Sequence, residues 1–275
     1  MFTVHCLLFT ANFPIFVIPK TSILNLRYFV TFSYFGSAYH GWQSQPNAST
    51  VQQQMETVFS TLLRENISLV AAGRTDAGVH AKKMVAHFDV EQPLDTSDAV
   101  LKLNSFLPED IGIEDIFEVS KDAHARFSAI ARTYEYWIVR QKNPFYKDTA
   151  HYLRQTIDLR AMNAAAELLL QYEDFECFSK SRTDVRTYNC QISKSVWVAD
   201  ADKLVFTITA DRFLRNMVRA IVGTLLEVGK GKIGLEDVKT IIKSKDRNQA
   251  GASVPAKGLY LTLVEYPKNI FKIDE

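Results

Sequence analysis

The 275-residue sequence is short of cysteine, has almost no net charge, and lacks several familiar motifs, and each shortage removes a class of protein. Cys6, Cys177 and Cys190 are odd in number and far apart, so neither a disulfide framework nor a paired-thiolate metal site fits them; a reducing, cytoplasmic setting is expected. The six histidines form no HExxH or comparable pair, so no metal site is expected. No GxGxxG follows a strand pattern, GRTDAGVHA lacks the GK[ST] ending of a phosphate loop, and there is no GxSxG elbow, which leaves dinucleotide, ATP and serine-hydrolase chemistry unsupported. The apolar start, residues 1–25, lacks the charged beginning and cleavage site of a signal peptide, and Pro14 and Pro19 interrupt it short of a bilayer span. It is expected to be a loosely attached extension or the product of a start codon placed too early, with no membrane role.

What is present is a chain able to bury one large core or two smaller ones, with 47% hydrophobic side chains. The net charge of +1 hides a segregation: residues 84–119 carry nine acidic side chains against Lys102, a net of −8, and the remainder stands at +9. Basic clusters in ARFSAIARTYEYWIVRQK (125–142), KSRTDVR (180–186) and DRFLRNMVR (211–219) suit either a face for a polyanion or ordinary solvated charge.

Periodicity predicts strands at 26–34, 68–72, 84–90 and 113–119, with helices at 51–63 and near 96–106; Ser49 and Gln52 form a capping-box pattern before the first helix. The second half repeats the order, with strands at 132–140, 189–199, 203–210 and 258–266, helices at 158–171 and 212–228, and an extra helix at 234–245. The expected fold is α+β: two tandem β-α-β-β-α-β (split-βαβ, ferredoxin-like) units, with antiparallel sheets and a cleft between the halves. The domains are read as 26–122 and 123–267, flanked by the extension 1–25 and a tail 268–275.

The candidate chemistry centres on GRTDAGVHA (73–81), where Asp76 sits among Arg74, His80, Lys82 and Lys83 between two glycines. An aspartate so placed can be a turn-former bonding local amides, or a reactive group. On the predicted helix 212–228, Arg212, Arg215 and Arg219 recur at three- and four-residue spacing, where like charges repel by roughly 0.2 to 0.5 kcal/mol per pair. Phosphates or a buried carboxylate would compensate that repulsion. Tyr134 and Tyr136 point to one side of their strand and Glu135 and Trp137 to the other, with Trp137 expected in the core and a tyrosine available to stack on an unpaired base.

With these residues assembled, YHGWQSQPNASTVQQQMETVFSTLL, AAGRTDAGVHA, HARFSAIARTYEYWI, DFECFSKSRTDVR, NMVRAIVGTLLEVGKG and AKGLYLTLVEY resemble, in order, the sequence blocks of the tRNA pseudouridine synthase A family, from about Arg27 to Tyr266. The resemblance implies isomerisation of uridine to pseudouridine at positions 38, 39 and 40 of the tRNA anticodon stem-loop, without cofactor or metal, by a homodimer that holds tRNA between its subunits. It also implies that Asp76 is the nucleophile, Tyr134 the base-contacting tyrosine, Arg219 the partner of the aspartate and Arg74 the arginine that helps displace the base. Two other classes compete: a non-catalytic RNA-binding protein with two sheet platforms, whose glycine-and-aromatic signature is absent, and an aspartate phosphotransfer enzyme, which would want acidic metal ligands where this loop supplies cations.

Overall fold

The computed structural model describes residues 26–180 and 185–271. The apolar start and residues 181–184, within the KSRTDVR cluster, lie outside the described residues, as do residues 272–275 of the expected tail. The elements run β1 (Leu26–Tyr34), α1 (Val51–Leu63), β2 (Val70–Ala71), β3 (His80–Val90), α2 (Thr96–Phe106), β4 (Ile111–Glu118), β5 (Ala131–Val139), β6 (His151–Tyr152), α3 (Leu159–Leu168), β7 (Ile192–Asp200), β8 (Lys203–Ala210), α4 (Met217–Gly229), α5 (Leu235–Ser244) and β9 (Leu259–Glu265).

Local sequence accounts for most of these elements. Val51, Met55 and Phe59 recur four apart and are fully buried, so α1 presents one apolar stripe to the core. Its cap is Thr50, whose side chain accepts from Gln53 N at 3.4 Å, one residue beyond the expected Ser49–Gln52 box. Gln52 is turned to other work: it accepts from Ser44 N and donates to Glu56 and to the Leu69 carbonyl. Asp95 and Asp158 cap α2 and α3 by accepting first-turn amides. The largest revision is α4, which begins at Met217 rather than at residue 212. Asn216 takes a left-handed backbone conformation (φ 65°), and its side-chain amide donates to Ser253 Oγ at 2.6 Å, so the chain before it cannot continue the helix.

The expected pair of sheets is one sheet. Its order is β4-β1-β3-β9-β5-β8-β7, with β2 beside β3 and β6 beside β5, nine strands among the described residues. Pairing within each half is antiparallel apart from the short parallel β5–β6 pair, and the halves meet where β3 and β9 run parallel over His80↔Tyr260 and Ala81↔Leu261. In β5, Tyr134, Tyr136 and Ile138 are buried and join the side chains of α3 and α4 in one core. Trp137, expected in the core, lies half-buried on the other face, where its Nε1 donates to Glu135 and the Nζ atoms of Lys82 and Lys203 each stand 4.2 Å from its ring centroid. The buried tryptophans are Trp197 on β7 and Trp42, ahead of α1.

The β3–β9 joint is short, and His80 reinforces it. Its Nδ1 accepts the Gly36 amide at 3.0 Å, which leaves the proton on Nε2, within 3.1 Å of both the Lys257 and Asp148 carbonyls. The ring lies between Phe35 and Tyr260, stacked on each. Farther along β3, His87 accepts the Ala125 amide on Nδ1 at 3.1 Å and packs edge-on to His124. Burial first, and then the positive charge of Arg27, push the His87 imidazole down to about 4.

A histidine depressed in the folded state binds fewer protons than in the unfolded chain, so its contribution to stability is complete above the unfolded value of about 6.5 and is lost as pH falls from there to about 4. Urea midpoints measured between pH 7.5 and pH 4.5 should therefore decline. A His87→Asn variant, which cannot take up that proton, should decline less steeply; equal slopes would show that His87 does not set the acid limit.

Candidate active site

GRTDAGVHA leads from β2 into β3, with His80 and Ala81 already at the joint between the halves. Its backbone is held from several sides. Asp76 O accepts from Val79 N at 3.2 Å to close the turn, and Gly78 adopts φ 77°. The Thr75 carbonyl accepts from Trp42 N, and the Thr75 hydroxyl pairs with Tyr34 Oη at 2.8 Å in the core. Gly41, at φ 92°, passes so close that a Cβ there would collide with the Thr75 carbonyl oxygen. The turn is thus closed by backbone atoms. Among the described residues, the side chain of Asp76 accepts no backbone amide, so turn formation leaves it unused.

Its partners are arginines from the other half of the chain. Arg219 Nη1 lies 3.5 Å from Asp76 Oδ2, and Arg215 Nε lies 3.9 Å from Oδ1. Arg219 stands in the first turn of α4, where the aligned peptide dipoles disfavour a cation by roughly 0.3 to 1 kcal/mol, and α4 has no acidic side chain in that turn. Asp76 supplies the missing anion across the cavity. Arg219 is also fixed from behind, its Nε donating to the Val254 carbonyl at 2.8 Å while Val254 N returns a bond to the Arg219 carbonyl.

The segment that carries Val254 is seated on α4 by close backbone approach. Cβ atoms at Gly223 and Gly251 would strike the backbone of Ala252 and Thr224 respectively, and Gly251 N donates to Thr224 Oγ1. Arg247 bonds the carbonyls of Ala250 and Gly251 and the Ser253 hydroxyl, which Asn216 reaches from the other side. Asp76 and Ala77 on one side and Lys180, Arg215, Asn216, Arg219, Arg247, Asn248, Ala250, Ala252 and Ser253 on the other surround an open cavity of about 880 Å³. Among these lining residues Asp76 is the single acidic group, against four basic ones.

Tyr134 lies beneath this region, nearly buried, with its ring edge-on to Phe213 at 5.1 Å. Burial pushes its phenol up to about 12; the Asp76 carboxylate adds to the rise and Arg132 opposes it. Tyr134 therefore keeps its proton throughout the neutral range and is no resident base. Arg74 is exposed and makes no hydrogen bond or ion pair with any described residue. The structure thus brings Asp76, Arg219 and Tyr134 to one place and leaves Arg74 on the surface beside it.

Sequence reasoning missed several parts. Arg212 and Arg215 precede α4 in an irregular segment, so their expected mutual repulsion along one helix face does not arise; Arg215 reaches Asp76 because of the Asn216 conformation. Arg247 and Ser253 carried no signal in a stretch of small residues. Arg132, in the expected basic face, is turned inward: it donates to the carbonyls of Ala72, Arg126, Ala129 and Asp211, tying the strand before the loop to the other half.

A lone carboxylate held between arginines in a roomy cationic cavity suits an enzyme that acts on a polyanion. The chain belongs to the tRNA pseudouridine synthase family, whose model matches residues 30–128 and 165–267. It is 48% identical over 250 residues to tRNA pseudouridine synthase A of Parabacteroides distasonis, covering 90% of this chain and 99% of that protein. The corresponding protein of Bacteroides thetaiotaomicron is 50% identical over 248 residues, covering 89% and 92%. That of Caldicellulosiruptor bescii is 38% identical over 239 residues, covering 86% and 98%.

Because burial pushes the Tyr134 phenol up to about 12, a difference titration of phenolate absorbance between the wild type and Tyr134→Phe should show no Tyr134 signal up to about pH 10, the ordinary tyrosine value. A phenolate appearing below pH 9 in that difference would mean that the site is wetter than its packing.

Proposed function

We propose that the protein isomerises uridine to pseudouridine at positions 38, 39 and 40 of the tRNA anticodon stem-loop, with Asp76 as the nucleophile. The observation that carries this reading is the isolation of Asp76: its carboxylate has arginines as its only side-chain partners among the described residues and faces a cationic cavity large enough for a nucleotide. The two halves, 26–122 and 123–267, are read as two split-βαβ units joined edge to edge, and the working enzyme as a cytoplasmic homodimer. Among the described residues no helix is long and apolar enough to cross a membrane, and no group of three or more His, Cys, Asp or Glu is placed to hold a metal ion.

The reaction breaks the bond from ribose C1′ to uracil N1 and forms one from C1′ to C5; the C5 proton is released and N1 acquires one, with no change of oxidation state. Three routes share the need for a carboxylate: attack at C1′, addition at uracil C6, or passage through a glycal. Arg219, anchored by the Val254 carbonyl, holds the carboxylate in place without competing as an acid. Tyr134 offers a protonated ring as a wall for the base, at the start of β5 where Phe213 steadies it. A stacked uridine is out of reach, so it must leave the helix at a cost of a few kcal/mol, which contacts from exposed Arg74 and the basic cavity offset. A purely RNA-binding role would leave unexplained why an anion is placed where phosphates are to be bound.

Asp76→Asn separates the two classes. Pseudouridine formation on an anticodon stem-loop transcript should fall by about 10⁴-fold or more, while the dissociation constant changes by less than about threefold. Retained turnover would refute the nucleophile, and loss of binding would assign Asp76 a structural role. Arg219→Ala should lower the single-turnover rate by roughly 10² to 10³-fold, since it removes the one cation fixed against the reacting carboxylate; a wild-type rate would remove Arg219 from the site.

A further inference from the structure

The two arginines beside Asp76 are held differently. Arg219 is anchored to the Val254 carbonyl, and its side chain is 21% exposed; that of Arg215 is 59% exposed, donates no hydrogen bond to a described residue, and meets Asp76 only at 3.9 Å. The backbone beneath Arg215 is nevertheless rigid. Its carbonyl accepts from Lys180 N, Leu214 before it is buried, and Asn216 after it is bonded to Ser253. A free guanidinium on a fixed stem can reach either the carboxylate or the open cavity, whose rim also carries Arg247 and Asn248.

We propose that Arg215 couples RNA binding to the release of the nucleophile: in the free protein it shields Asp76 Oδ1, and on binding it turns to a backbone phosphate flanking the target uridine. This rests on the pseudouridine synthase reading and adds a residue and a ligand group to it. An exposed ion pair at such a distance holds by little, whereas a guanidinium meets a phosphate with two parallel, charge-assisted bonds. The exchange is therefore downhill once RNA is present. It also has a chemical consequence. With Arg219 on Oδ2 and Arg215 on Oδ1, both oxygens of the carboxylate face a cation; removing Arg215 frees the lone pairs of Oδ1 toward the cavity, while Arg219 keeps the group aligned. Asp76 Oδ1 is then least screened when a phosphate sits beside it, so the arrival of an RNA strand raises the availability of the carboxylate.

The test is a chemical double cycle on the full-length protein. Stem-loop RNAs are made with an uncharged methylphosphonate replacing the phosphate on either side of the target uridine, and single-turnover rates are compared with those on all-phosphate RNA. For the wild type, one of the two neutral linkages should slow pseudouridine formation by about tenfold, as expected for loss of a charge-assisted contact. Arg215→Ala should turn over the charged and neutral RNAs at one common rate, and Arg215→Lys, which keeps the charge without the paired geometry, should recover part of the discrimination. A wild type indifferent to both linkages, or an Arg215→Ala variant that loses as much as the wild type, overturns the proposal. Turnover of all-phosphate RNA by the wild type is the internal control: without it the functional reading itself fails, and with it only the role of Arg215 is at stake.

Discussion

The arrangement depends on the parallel joint between β3 and β9. Two residue pairs make it, and His80 extends it by accepting from Gly36 and donating into the Lys257 and Asp148 carbonyls. Asp76 lies four residues before that joint, and Val254, which orients Arg219, lies six residues before the β9 partner of His80. The histidine of the GRTDAGVHA loop is therefore a clamp between halves, and its neutral form is what the joint requires. The Gly36 amide needs a lone pair on Nδ1, and burial favours the uncharged ring.

Much of the fold was legible because its signals are local. The periodicity of Val51, Met55 and Phe59 and the β-branched and aromatic runs of β1, β5 and β8 each report on their own neighbourhood. What was misread depends on distant partners. Ser49 looked like a cap, but its carbonyl accepts from His40 N and the capping role passes to Thr50. The segment 212–216 has helical spacing, but Asn216 is drawn to Ser253, thirty-seven residues on. Trp137 and Trp197 have similar strand contexts, and only the placement of the helices decides which is covered. The single sheet was not legible as such, because a two-residue parallel joint leaves no periodic trace.

The site divides along the same line. Asp76, Tyr134, Arg74 and Arg219 stood out through a recognisable motif context, and the aspartate stood out further by its cationic company. The spacing of Arg215 with Arg212 and Arg219 implies a repelling trio on one helix, whereas Arg215 lies in the irregular segment ahead of α4. Arg247 and Ser253 gave no sign, since their part is to hold a loop of small residues against α4, where missing side chains matter more than present ones. Charge segregation along the chain is visible in the sequence, but its meaning is mixed: Arg132 spends its guanidinium on four carbonyl oxygens inside the protein, whereas Arg215 faces the cavity.

The anchoring of Arg219 closes a circuit. From Asp76 the chain runs through Gly78 into β3, across the ladder to β9, back through the segment that precedes β9 to the Val254 carbonyl, into the Arg219 guanidinium and so to Asp76 again. Tyr136 braces it from inside by donating to the Pro255 carbonyl. Both ends of the Asp76–Arg219 contact are thus referred to the same ladder, so the carboxylate and the anchored guanidinium share one frame. With that frame fixed, the side chains left to adjust to a bound strand are the exposed ones at the cavity, Arg215 foremost, so the stiffness of the strand itself becomes part of what the proposed site selects.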